Sequence, residues 1–313
     1  MRRRAFATSR ACSTCSGSSA LPSPIVIATR RSPLALAQSR LVADALRARG
    51  HDVVLEEFTT TGDRWSASRS DGPADKGMFV KELEAALLDG RADVAVHSAK
   101  DVPADLPEGL VIAAVPGRAD ARDVLLGVTG GLDGLAAGMR IGTGSPRRRA
   151  QIHAACQGLE TVEIRGNVDT RLDRLSVGDL SGIVLAAAGL ARLGRARPDA
   201  VALPVDRFTP APGQGFLALE ARAGDARVLD ALAALHDAAA GACLDAERAV
   251  LRGLGGGCLS PVGAHCAVTG GAAEMTVFVA ADASGAHARR VTARAASPTD
   301  AARDALGRLG GGQ

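Results

Sequence analysis

The chain reads as an α/β protein of two lobes with a small third domain, and three observations carry that reading. From Ile25 onward short apolar strands alternate with amphipathic helices, the rhythm of parallel strands joined by crossover helices. Two Pro/Gly-rich crossings, near residues 116 and 211, fit a chain that leaves one lobe, builds another and returns across a hinge. At 313 residues and 47% apolar side chains, the chain is too long for one ordinary core and has the material for several.

Residues 1–24 are Arg- and Ser-rich, without an acid or a continuous apolar core, and are expected to form a disordered extension. The same composition resembles an organelle transit peptide, so a cytoplasmic location is expected unless the extension directs the chain to an organelle. Lobe 1 is assigned to 25–116 and 214–236, lobe 2 to 117–213, and a C-terminal domain to 237–313. Ile25–Ala28 is the first strand; Ser32 can cap and Pro33 can open a helix running to about Arg49. A second strand covers Val53–Thr59, and the polar stretch Thr61–Gly77 reads as a mobile loop or lid. Phe79, Leu83, Ala86 and Leu87 share one face of a helix over 78–89. Ala92–His97 is a buried strand that ends at Ser98, Lys100 and Asp101, where open α/β sheets bind ligands. The second lobe has strands near 123–128, 139–143, 161–164 and 183–187; residues 225–252 are helical, 262–295 alternate as an antiparallel sheet, and 298–309 form a last helix.

Composition excludes several classes. Aromatic residues are 2% of the chain and tyrosine is absent, so no stacking platform exists for nucleic acid. A net charge of +3, from 37 basic and 34 acidic side chains, rules out a generally basic surface but allows a local cationic pocket. No apolar run reaches the length of a membrane span. The six cysteines, at 12, 15, 156, 243, 258 and 266, lack a disulfide framework and indicate a reducing compartment. Cys12 and Cys15 form a CxxC with no second pair, and no metal is expected.

Chemistry gathers in four segments. Cys258 follows three glycines, which suits access to a cavity better than packing, although burial as a small apolar residue is the usual fate of cysteine. In Gly144-Ser-Pro-Arg-Arg148, Ser145 can cap and Pro146 can open a helix, so backbone N–H groups, Arg147 and Arg148 converge on one anion. Arg165 and Arg171 flank Gly166-Asn167, Arg192 follows a strand, and Arg30 and Arg31 stand at the first strand end. Lys100-Asp101 is either a surface ion pair worth ~0–1 kcal/mol or, at a sheet edge, a proton-moving acid tuned by neighbouring cations. A thiol, an acid and many guanidinium groups suit covalent chemistry on a polyanion.

These segments resemble the porphobilinogen deaminase family from about Ile25 to Ala295: Ala28-Thr-Arg-Arg-Ser-Pro-Leu-Ala-Leu36, Lys76-Gly-Met-Phe-Val-Lys-Glu-Leu-Glu84, His97–Pro103, Arg165–Leu172, Ala186-Ala-Ala-Gly-Leu190, Pro212-Gly-Gln-Gly215 and Gly256-Gly-Cys258. The resemblance implies two periplasmic-binding-protein-like lobes with mostly parallel sheets plus a small α+β C-terminal domain, in a monomer. It implies a dipyrromethane joined by thioether to Cys258, on which four porphobilinogens are added head to tail with loss of ammonia before water releases the linear tetrapyrrole. Asp101 is then the catalytic residue, facing the pyrrole nitrogens and stabilising the cationic azafulvene. Lys100, Asp101, Ser145, Arg147 and Arg148 would hold the cofactor; Arg30, Ser32, Phe79, Arg165, Arg171 and Arg192 would hold substrate; Lys76 and Arg118 would close a lid or guide the growing polypyrrole. Two departures from the family pattern stand out: the 62–77 loop lacks a second lysine often present, and Pro146 replaces a leucine. Two rival readings are a non-catalytic small-anion receptor and a cysteine hydrolase with Cys258 as nucleophile and His97 or His265 as base.

Overall fold

The computed structural model describes residues 23–62, 78, 80–255 and 260–310. Cys258, Lys76, Phe79, Cys12 and Cys15 lie outside the described residues, as do most of the 62–77 loop and of the N-terminal extension.

The chain opens with β1 (Ile25–Arg30), α1 (Pro33–Arg47), β2 (Val53–Phe58), α2 (Lys81–Leu88), β3 (Val94–Ser98), a single 3-10 turn at Ala99–Asp101, and β4 (Leu110–Ala114). Helix α1 begins as its sequence predicts: Ser32 Oγ accepts the Ala35 N–H and Pro33 takes the first position, where a missing N–H costs nothing. The second lobe follows with β5 (Asp123–Leu126), β6 (Arg140–Gly142), α3 (Pro146–Ala155), β7 (Glu160–Val162), α4 (Val168–Ser176), β8 (Gly182–Ala186), α5 (Ala187–Arg192) and β9 (Val201–Ala202). The chain then returns through β10 (Leu217–Arg222) and α6 (Ala226–Ala233) to the third domain: α7 (Ala238–Gly253), β11 (Val262–Thr269), β12 (Ala272–Val279), β13 (Arg289–Ala295) and α8 (Pro298–Gly310). The expected helical stretch 225–252 is thus two helices, because Asp237 accepts the Ala239 and Ala240 N–H groups and starts a new one.

The α/β class holds, and the sheets are mixed. The orders are β2-β1-β3-β10-β4 and β7-β6-β8-β5-β9. In each sheet the first three strands are parallel and the other ladders antiparallel. The antiparallel half arises because β5 and β10 enter through the two crossings and not through crossover helices. Edge strand β4 of the first sheet leads into β5 inside the second, and edge strand β9 of the second leads into β10 inside the first. The first sheet is completed by β10, which returns after the whole of lobe 2, whereas the second is built from the continuous run β5 to β9.

Apolar packing follows the strand alternation. On one face of the first sheet Ile25, Ile27, Val94 and Val96 pack with Val42 and Leu46 of α1 and with Val228 and Leu232 of α6. On the other face Ala28 and Ala95 pack under Leu83, Ala86 and Leu87 of α2. The third domain shares a core with lobe 1, in which Leu244, Val250, Met275 and Ala305 join Ala99, Val102, Val115, Phe216 and Ala218. Each large side chain buried this way contributes roughly 1.5–3 kcal/mol. Against lobe 2 the third domain makes polar contacts: Arg290 donates to Gln151 Oε1 at 3.0 Å and to Thr209 Oγ1 at 3.1 Å.

The crossings are fixed by Glu247, whose side chain is fully buried on α7. Its oxygens accept Arg118 Nη1 at 2.8 Å, Gly213 N at 2.6 Å and Cys266 N at 2.7 Å. Burial pushes the Glu247 carboxyl upward, and the Arg118 guanidinium with both backbone N–H groups opposes that shift. Arg118 also donates to the carbonyls of Gln214 and Cys266 and lies over the Phe216 ring at 4.1 Å. Its donors tie the outgoing crossing, the return crossing and the third domain together. Truncation by Glu247→Ala strands a buried guanidinium and two N–H groups; we expect a loss of about 3–5 kcal/mol, read as a lower urea midpoint, whereas an unchanged midpoint would mean the tether contributes little.

Candidate active site

The 3-10 turn Ala99–Asp101 continues β3 directly and carries Lys100 and Asp101 to the sheet edge. Asp101 is half-buried. The return crossing presses against this turn. Gly213 has φ +79, and a side chain there would meet the backbone of Ala99 and Lys100 at 2.9 Å, so only glycine allows the approach. The next residue, Gln214, bridges the lobes: its Oε1 faces Lys100 Nζ at 3.4 Å, and its Nε2 donates to Ala121 O at 2.7 Å and Asp123 Oδ1 at 2.9 Å.

Asp123 opens β5 and is completely buried. Arg147 Nη2 lies 2.8 Å from its Oδ2, and Arg148 reaches its Oδ1 through Nη2 at 2.7 Å and Nε at 3.1 Å. Arg147 also donates to Thr209 O and Arg148 to Val184 O. Both arginines come from the first turn of α3, where Ser145 accepts the Arg148 N–H and Pro146 is the first helical residue. Sequence reasoning expected these guanidinium groups to converge on an external anion; the structure shows part of each fork turned inward onto a protein carboxylate, with side-chain exposures of 5% and 7%. A guanidinium has five N–H groups, so the inward bonds leave others for a ligand. Burial alone would raise the Asp123 carboxyl, but Arg147 and Arg148 overcome it and hold the group down at about 2.

Burial first, and neighbouring guanidinium groups second, disfavour the charged form of other cations here. Burial, opposed by Asp101 and Asp123 and reinforced by Arg148 and Arg147, brings Lys100 down to about 8. Arg171, on α4, is lowered to about 10 by burial and by Arg148, with Asp101 acting the other way. Lys100, Asp101, Arg148 and Arg171 therefore share one electrostatic neighbourhood. Arg171 Nε is held by Gly166 O at 2.9 Å, and Arg192 by Gly215 O at 2.7 Å beside the return crossing. Arg30 and Ser32 stand at the β1–α1 junction, with Ser32 occupied as the helix cap, and Arg165 pairs with Glu163 at 2.7 Å. A Cβ added at Gly189 would meet Leu34 at 3.9 Å, which places the start of α1 near α5 of the other lobe. A donor set of this kind, with more buried cations than nearby acids, fits a ligand bearing several carboxylates.

Sequence reasoning missed Gln214 and Asp123. A polar residue between two glycines at a crossing, and an acid heading the apolar run Asp123-Val-Leu-Leu126, were the available signals.

Comparisons with known proteins agree along the chain. A family model described as porphobilinogen deaminase, dipyromethane cofactor binding domain, matches residues 25–230, and one described as porphobilinogen deaminase, C-terminal domain, matches 242–308. A porphobilinogen deaminase of Rubrobacter xylanophilus is 46% identical over 290 residues, covering 91% of this chain and 93% of its own. One from Burkholderia mallei is 47% identical over 292 residues, covering 92% and 88%. Among solved structures, a nutrient binding protein from Burkholderia cenocepacia bound to methionine aligns with a TM-score of 0.41 at 15% identity, over 67% of this chain and 90% of that one.

The depressed Asp123 carboxyl has a consequence in acid. Its contribution to stability is complete above the unfolded pKa near 4 and is lost as the pH falls through about 2, a change on the order of 2 kcal/mol. In thermal melts between about pH 5 and pH 2, Asp123→Asn should show a shallower acid decline than the parent chain; parallel curves would remove Asp123 as the cause.

Proposed function

The chain belongs to the porphobilinogen deaminase family, and from that premise we propose how its side chains divide the work. It is a transferase of tetrapyrrole biosynthesis with the hydroxymethylbilane synthase activity, and its cofactor is dipyrromethane. The reaction joins four porphobilinogens head to tail, releases one ammonia at each addition, and ends with hydrolysis to the linear tetrapyrrole. When bound through Cys258, the dipyrromethane supplies the pyrrole carbon to which the first substrate is joined.

The observation that carries our assignment of roles is the half-buried Asp101 beside Lys100 and Arg171 at the end of β3. A carboxylate there can accept pyrrole N–H hydrogen bonds, and its negative charge opposes the positive charge that develops as ammonia leaves. The same oxygen is suited to take the proton released at the coupling carbon. Lys100, Arg147 and Arg148 would grip cofactor carboxylates with N–H groups not committed to Asp123 and Gln214, and Ser145 would hold the helix start that presents them. Arg171, Arg192, Arg165, Arg30 and Ser32 would receive the acetate and propionate of the incoming substrate, Phe79 would pack on its ring, and Lys76 would act from the loop before α2. The cation-rich site also disfavours rivals: a porphobilinogen lacking its carboxylates forgoes the charge-assisted hydrogen bonds that the spare guanidinium N–H groups can make. Among the described residues no helix is long and apolar enough to cross a membrane. Six cysteines without a disulfide framework support a cytoplasmic location, and the scarcity of aromatics supports the absence of a nucleic-acid partner.

Asp101→Ala should keep the fold and the thioether while turnover of porphobilinogen falls by about a thousandfold or more; a wild-type-like rate would sink the assignment. Intact mass under denaturing conditions should show two decorated pyrrole rings on the parent chain and none on Cys258→Ala. An unmodified parent chain that also fails to load from porphobilinogen would favour an anion receptor.

A further inference from the structure

Behind the turn that carries Asp101 lies a polar cluster the reaction does not use. His97, the penultimate residue of β3, is buried, and its Nε2 lies 2.9 Å from Glu220 Oε2 on β10. His97 pairs in register with Ala218, and Glu220 with Ala95, so the two side chains are diagonal neighbours on one sheet face. That face is the one covered by α2, whose Glu84 is also buried. Neither Glu84 Oε1 nor Glu220 Oε1 has a hydrogen-bond partner among the described residues. Ser98, the next residue, points to the opposite face, where its Oγ accepts Gln38 Nε2 of α1 at 2.8 Å. The end of β3 is therefore pinned on both faces just before the chain turns to place Lys100 and Asp101.

We propose that His97 and Glu220 form a buried clamp that fixes the end of β3 and so sets the position of Asp101, with Glu84 closing the clamp from α2 in its protonated form. The proposal rests on Asp101 as the working acid. His97 and Glu220 touch no reacting atom and are positioning residues. Two carboxyl groups buried side by side do not both ionise readily. Burial, then the nearby Glu220, pushes the Glu84 carboxyl upward, while His97 and Lys81 oppose this. Arg248 of the third domain acts on Glu220 from the other side. The sheet face under α2 is otherwise apolar around Ala28, Ala95 and Leu110. A protonated Glu84 has an O–H to donate, which an ionised one lacks.

The test uses the holoenzyme, with the cofactor-loaded fraction of every variant measured by intact mass. His97→Leu and Glu220→Gln should lower kcat about tenfold to a hundredfold, the range expected for a reacting group displaced by about 1 Å, with KM changed less than twofold. His97→Gln keeps an N–H donor and should recover most of the lost kcat. In cofactor-independent melts, the parent chain should lose stability relative to Glu84→Gln as the pH rises above 4.5, because a raised carboxyl pKa favours the fold only while the group stays protonated. Wild-type kcat in His97→Leu and Glu220→Gln, or a loss confined to KM or to the loaded fraction, would overturn the clamp. A pH-independent difference between the parent and Glu84→Gln would overturn the role of its proton. If His97→Leu does not fold, His97→Gln and Glu220→Gln still decide. If Asp101→Ala turns over normally while the Glu84 arm behaves as expected, the assignment of Asp101 fails and the buried proton stands.

Discussion

Two buried carboxylates, Asp123 and Glu247, hold the places where the chain passes between lobes, and the rest of the molecule is arranged around them. A carboxylate removed from water must be matched by cations and N–H donors in good geometry, or it is destabilising by several kcal/mol. Asp123 draws in Arg147, Arg148 and Gln214; Glu247 draws in Arg118, Gly213 and Cys266. Gln214 joins the two sets, since its carbonyl accepts Arg118 and its amide touches Asp123 and Lys100. The cleft thus inherits its shape from interior charge pairing, and the cations that face a ligand are set by partners placed behind them.

Local chemistry was legible in the sequence and long-range pairing was not. Ser32-Pro33 and Ser145-Pro146 announced helix starts because caps act within one turn. The βα rhythm gave the class, since burial on alternate residues leaves its mark on each strand separately. Strand β10 escaped notice because Glu220 interrupts its apolar run, and the reason for a buried acid there is His97, far away in sequence. The inward turn of Arg147 and Arg148 was hidden for the same reason: Asp123 is a strand residue with no local sign of its partners. The bonds of Arg118 to Glu247 could not be read locally, because Glu247 lies in another domain. The 225–252 stretch held a readable break, Asp237 before a run of alanines, that periodicity alone passed over.

The third domain is bonded to the lobes in two different ways. Apolar side chains fuse it to lobe 1 around Phe216 and Leu244, whereas its links to lobe 2 through Arg290 are hydrogen bonds to Gln151 and Thr209. Apolar cores are close-packed and resist sliding, while polar contacts can be exchanged for water at little net cost. Lobe 1 and the third domain thus share one apolar core, to which lobe 2 is joined through polar contacts.

The late return of β10 to the first sheet also governs how the chain can be made. Strand β10 sits between β3 and β4, yet it follows the whole of lobe 2 in sequence. During synthesis the first sheet stays incomplete, with the edges of β3 and β4 unpaired, until the whole of lobe 2 has been made and β10 follows it. Closing so long a loop slows folding and leaves open strand edges exposed to other chains. A cell making this protein quickly would therefore depend on chaperones more than its size alone suggests.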